Sequence, residues 1–151
     1  VTIMVINAQK FDHNKKKRTK LTYFILGILI VFVIGLLTYG FIPSKTVISN
    51  DNIRFSGMHG IEIKTTSIEN VELSEKIPTI KLRTNGFSFG HIHKGIFNLD
   101  EFGKCRLLLH SDKSPYLIIS KNDGNKIIVN FKDKTETRDI YKQILQVTEH
   151  K

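Results

Sequence analysis

The chain has 151 residues, of which 40% are hydrophobic, 25% charged and 9% aromatic, a balance that suits one ordinary domain with a short appendage and excludes a disordered or collagen-like polymer. Lys and Arg number 23 against 14 Asp and Glu, a formal charge of +9. The excess is uneven: residues 1–43 hold six basic side chains (Lys10, Lys15, Lys16, Lys17, Arg18, Lys20) and one acid, Asp12, whereas residues 44–151 hold 17 basic and 13 acidic ones. The N-terminal segment thus carries +5 and the 108 residues after it only +4, so no nucleic-acid partner is expected for the part that folds. A single cysteine, Cys105, rules out an internal disulfide.

In chain order, residues 1–20 form a basic N-terminal arm and residues 21–43 a transmembrane helix. The stretch LTYFILGILIVFVIGLLTYGFI, residues 21–42, runs for 22 residues without a charge. A helix of that length spans roughly 33 Å, enough to cross a bilayer. Lipid offers no hydrogen-bond partners, so helix is the state expected despite Gly27, Gly35 and Gly40. Tyr23, Tyr39 and Phe41 lie near its ends, where such rings favour the headgroup zone. A buried core helix is the bland alternative, but six turns apolar on every face are unusual in a globular protein. A cleaved secretory signal has a shorter apolar run, and Thr38-Tyr39-Gly40 makes a poor cleavage site. The block Lys15-Lys16-Lys17-Arg18 precedes the span and only Lys45 follows closely, which places the N-terminus in the cytoplasm and the remaining domain outside. Val1 in place of Met leaves room for an upstream segment, and a further span there would invert this orientation.

After Pro43-Ser44 the pattern shifts to short alternating stretches broken by turn residues, as an all-β module requires. Residues 46–49 and 53–56 flank Asn50-Asp51-Asn52 and read as a hairpin. Gly57-Met58-His59-Gly60 turns the chain into a strand over 61–64. Further strands are expected at 71–74, 79–83, 96–99, 104–110, 116–120 and 126–131, with Asn122-Asp123-Gly124-Asn125 the clearest hairpin turn. Asp133-Lys134-Thr135-Glu136 has the form of a capping box. The helix it opens carries Ile140, Ile144, Leu145 and Val147 as an apolar stripe.

The run from Glu75 through Pro78 and Arg83-Thr84-Asn85-Gly86 to Phe87, followed by Gly90, Lys94-Gly95-Ile96-Phe97 and Gly103-Lys104, resembles the bacterial pleckstrin-homology-like (PH-like) domains of small membrane proteins. The resemblance covers about residues 45–147, within a domain taken as 45–149. It implies a mainly β fold, a bent antiparallel β-barrel closed by the C-terminal α-helix and set just after a membrane span of the bacterial cytoplasmic membrane. Arg83, Thr84, Asn85, Gly86, Gly95, Phe97, Gly103 and Lys104 are the family motif, and their expected role is structural. The eukaryotic lipid binders place several cations around the first hairpin. Here that turn is Asn50-Asp51-Asn52 with only Arg54 and Lys45 nearby, and the Trp usual in their last helix is missing, with Tyr141 or Ile140 in its space. The resemblance therefore implies a fold and no ligand.

Residue chemistry points the same way. No G-x-x-x-x-G-K-[ST] or G-x-G-x-x-G string is present. Cys105 could pair with His91, His93 or His110 as a thiolate–imidazole couple, but strand alternation groups it with Leu107 and Leu109, facing a core. His91 and His93 are the candidate metal ligands, on one side of a strand, with His110, His59 or Asp112 as a third. Glu72, Glu75, Asp100 and Glu101 read as solvated turns and edges. Lys81, Arg83, Lys94, Lys104 and Arg106 are expected to be exposed, with the option of collecting on one wall against anionic headgroups. The expectation is a single-pass membrane-anchored module that binds and does not catalyse, without a cofactor, with the bilayer at residues 21–42 and a protein as partners. The alternative is an envelope sensor of a metal or other ligand through His91 and His93.

Overall fold

The computed structural model describes residues 2–149, with side chains from residue 17 onward. The chain divides into one unit ending at Tyr39 and a second beginning at Gly40. The first is a single helix, α1 (Thr2–Phe41), whose last two residues belong to the second unit. Its segment Lys17–Phe41 is 25 residues long with a mean hydropathy of 2.6, long and apolar enough to cross a membrane. Leu, Ile, Val and Phe side chains stand exposed all around it. The helix stops where Pro43 removes a backbone donor and pushes Ile42 out of helical geometry.

The second unit is mainly β. Strands β1 (Thr46–Ile48), β2 (Asn52–Phe55) and β3 (Ile61–Lys64) form a three-stranded antiparallel meander. Alternation sends Ile53, Phe55 and Ile63 inward, while Arg54 and Glu62 pair on the open face. A single 3-10 turn at Thr65–Ser67 leads into β4 (Ile68–Ser74). Then come β5 (Ile80–Phe89), β6 (Ile92–Leu99), β7 (Gly103–Leu109), β8 (Tyr116–Lys121) and β9 (Lys126–Asn130). These six strands form one sheet in the order β4-β8-β9-β7-β6-β5. The Asn122-Asp123-Gly124-Asn125 turn joins β8 to β9, with Gly124 at φ 79° and the Asp123 carboxylate accepting from the Asn125 N–H at 3.0 Å.

Helix α2 (Lys134–Glu149) starts where expected. Asp133 caps it by accepting the Thr135 N–H at 2.8 Å. Ile144 is fully buried in a core shared by the meander, α2 and one face of the large sheet, with Ile140, Leu145 and Val147 packed beside it. A second core lies on the opposite face of the large sheet, built from Phe97, Leu99, Cys105, Leu107, Tyr116 and Ile128 among others. The triplets Leu107-Leu108-Leu109, Leu117-Ile118-Ile119 and Ile127-Ile128-Val129 are buried throughout, as strands covered on both faces must be.

Two features differ from the sequence expectation. The ladder between β7 and β9 is parallel, pairing Cys105 with Lys126 and Leu109 with Asn130. Strand β9 returns from its hairpin between β8 and β7, a placement that no local sequence signal encodes. Strands β5 and β6 are also far longer than residues 79–83 and 96–99. Their extension runs through Gly86 and Gly95, which face each other in register at φ 141° and 129°. A Cβ on Gly86 would meet the Gly95 Cα at 2.8 Å, so two glycines are needed where the backbones cross closely.

Candidate functional site

The motif residues lie on three adjacent strands. Arg83, Thr84 and Asn85 are exposed on β5, Gly86 and Gly95 form the crossing just described, and Phe97 is buried in the second core. Gly103 opens β7 at φ 65° and Lys104 beside it is exposed. β5 is an outer strand of the large sheet, with one side unpaired by the described strands. Register shifts interrupt its pairing between Ile80 and Leu82 and between Arg83 and Asn85, after which Asn85 to Phe89 pair regularly. Leu82 and Phe89 are 62% and 60% exposed. The Phe41 ring meets Phe87 at 5.7 Å and Phe89 at 5.4 Å, both edge-on, the arrangement aromatic quadrupoles favour.

The two candidate metal ligands do not share a strand face. His91 lies in the turn before β6, and His93, inside β6, exchanges a 2.9 Å hydrogen bond with Ser88 through Nδ1. Burial and the nearby His91 lower the His93 pKa. No group of three His, Cys, Asp or Glu side chains converges among the described residues. Cys105 is 2% exposed, and burial pushes its thiol pKa up while Lys126 acts in the opposite sense, which makes it a poor nucleophile.

The five cations expected on one wall are not equivalent. Lys81 pairs with Asp100 at 2.7 Å, and Lys94 is fully buried rather than exposed. The correction has a plain cause: Lys94 alternates with Ile92 and Ile96 on β6, so its long apolar stem fills an inward position. Its ammonium donates to the Ile42 carbonyl at 2.5 Å, supplying a cation just past the end of a helix that has none in its own last turn. No carboxylate pairs with it among the described residues, and desolvation lowers its pKa to about 8.

His110 and Ser44 complete a buried polar cluster that sequence reasoning missed. The His110 Nε2 accepts the Ser44 N–H at 3.2 Å, with the Ser44 hydroxyl at 3.3 Å. That bond assigns the ring hydrogen to Nδ1, which finds no partner among the described residues. The ring stacks on Phe131, 6.3 Å away and 4° from parallel. Burial, then Lys94 and Lys132, lower its pKa to about 4, so the imidazole is neutral at ordinary pH. Asn130 clamps the following loop, accepting from the His110 and Ser111 N–H groups and donating to the Ser111 and Lys113 carbonyls. The only trace of this cluster in the sequence is polar residues at positions where alternation calls for apolar ones. A serine and a histidine touch here, yet among the described residues no carboxylate orients the imidazole, and the hydroxyl is buried. The arrangement locks the chain entering β1 to the strand ends.

No protein-family model matches the chain, and neither a curated protein nor a solved structure is detectably similar to it.

Proposed function

We propose that the chain is a single-pass membrane protein, its N-terminus cytoplasmic, whose β domain is a PH-like module that binds a protein partner outside the membrane and carries out no catalysis. The observation that carries this reading is the apolar segment Lys17–Phe41, whose large side chains are exposed from Leu21 to Phe41. Such a surface is far beyond what water tolerates, and a bilayer is the solvent that suits it. Only residues 42–45 separate it from β1.

The PH-like assignment rests on the resemblance across residues 45–147, and two sheets with a C-terminal helix accompany it. The parallel β7–β9 ladder departs from the antiparallel barrel that the resemblance implies. Binding without catalysis is favoured by the neutral, unoriented His110 and the buried Cys105. For a peptide partner the regular stretch of β5 offers free backbone groups flanked by exposed Leu82 and Phe89.

The test combines extraction and crosslinking of the full chain. The protein leaves cell membranes only with detergent, and a photoreactive residue at Leu82 traps a specific partner that the same residue at Val47, on the other sheet and 61% exposed, does not. Equal trapping from both positions contradicts the β5 assignment; recovery in the aqueous fraction contradicts the anchor.

A further inference from the structure

The parallel β7–β9 ladder brings the basic start of β7 beside the start of β9, with Cys105 opposite Lys126 and Arg106 opposite Ile127. Lys121, at the end of β8, stands across the hairpin turn from Lys126. A recess of about 310 Å³ opens there, walled by Lys104, Arg106 and Lys121 and floored in part by Ile96 and Ile127. That volume lies at the small end of the range for small-molecule sites. Among the described residues no acidic side chain lines it.

Two of the three cations are held by other contacts. Arg106 donates to the His59 carbonyl at 2.9 Å through Nη1, which leaves its other N–H groups for a ligand. Lys126, in register with Cys105, turns to the other face of the sheet, where it donates to the Ser120 hydroxyl at 2.8 Å and sits 5.1 Å from the centre of the Phe102 ring. Lys121 alone has an acidic partner, Asp123 at 2.7 Å. Among the described residues no carboxylate pairs with Lys104 or Arg106. Like charges gathered around one hollow repel, and half-buried Arg106 has lost part of the water that would screen it. An anion relieves both costs, and a guanidinium beside ammonium groups is the set that suits phosphate oxygens.

We propose that this recess binds a compact organic phosphate carrying at least two negative charges, its phosphate against Arg106 and Lys104 with Lys121 beside them, and its less polar part over Ile96 and Ile127. The inference is independent of the β5 edge and of the membrane anchor. The phosphate comes from a soluble molecule or from a lipid headgroup, and the experiment separates these sources. The full chain in uncharged detergent micelles is titrated calorimetrically with inorganic pyrophosphate. The expected result is saturable binding of one pyrophosphate per chain, weakened at least tenfold by Lys104→Gln and by Lys121→Gln, unaffected by Lys64→Gln, and weaker in higher salt. Lys104 is exposed, so its replacement leaves packing intact, and an unchanged thermal midpoint in the absence of ligand verifies this. The chain is then placed in phosphatidylcholine nanodiscs with and without phosphatidic acid. Loss of pyrophosphate binding in the doped discs assigns the site to a headgroup, and retention assigns it to a soluble phosphate. Absence of saturable binding, or binding indifferent to both variants, overturns the proposal.

Discussion

Replacing Lys94 by Met offers a quantitative test of the buried cluster. Lys94 is 0% exposed and its ammonium has one partner, the Ile42 carbonyl. Burial lowers its pKa from an ordinary 10.5 to about 8. At about 1.4 kcal/mol for each tenfold change in proton affinity, the charged form costs the fold about 3 kcal/mol relative to the neutral one. Below pH 8 both states are protonated and the full cost is present. Between pH 8 and 10.5 the unfolded chain holds the proton that the folded chain has released, so stability rises with pH and then levels off. Met fills a similar volume without a charge, but it forfeits the bond to Ile42, a loss of about 1 kcal/mol. Lys94→Met is therefore more stable than the wild type by about 2 kcal/mol at pH 7. Above pH 10.5 the order reverses, because neutral lysine still donates its hydrogen bond. Urea unfolding of the full chain in micelles, followed by circular dichroism across this pH range, reads the difference directly. A variant less stable than the wild type at pH 7, or a difference that does not change with pH, refutes the argument.

Other predictions follow from the same packing. The His110 pKa is lowered to about 4, so the unfolded chain takes up its proton first as pH falls below 6.5. Stability then drops by about 3 kcal/mol between pH 6.5 and 4, and an NMR titration of the His110 ring gives a midpoint near 4; a midpoint near 6.5 shows the ring to be solvated. Gly86→Ala forces a Cβ against the backbone of Lys94 and Gly95 and costs about 3 kcal/mol or more. Gly90→Ala, where φ is 56° but the space is open, costs about 1 kcal/mol, and the two urea midpoints differ accordingly. Ile144→Ala, in the core beneath α2, lowers stability by about 3 kcal/mol, measured by the same unfolding curve.

The strand edges given by turn residues were legible: the Asn50-Asp51-Asn52 hairpin, the Asn122 to Asn125 turn and the Asp133 cap all follow from short-range chemistry. The apolar helix was legible for the same reason, since its signal is continuous along the chain. The length of β5 and β6 was hidden because Gly86, Gly90 and Gly95 read as breakers, whereas two of them face each other inside a ladder. The parallel pairing of β7 with β9 joins residues about twenty apart through an intervening strand, and no local pattern records it. The recess depends on that pairing. Lys104 and Arg106 were visible as cations, but Lys121 joins them only once β9 lies between β8 and β7. The charge of Lys94 suggests exposure, and only its position between Ile92 and Ile96 on one strand face records that it is buried.

Alkaline carbonate washing of membranes from cells making the full chain tests the anchor most directly. An integral helix keeps the protein in the pellet, and substituting Leu29→Lys with Val33→Lys inside the apolar stretch releases it, because each buried charge there is costly by about 3 kcal/mol. Release of the unaltered chain into the wash, with no detergent present, contradicts the account.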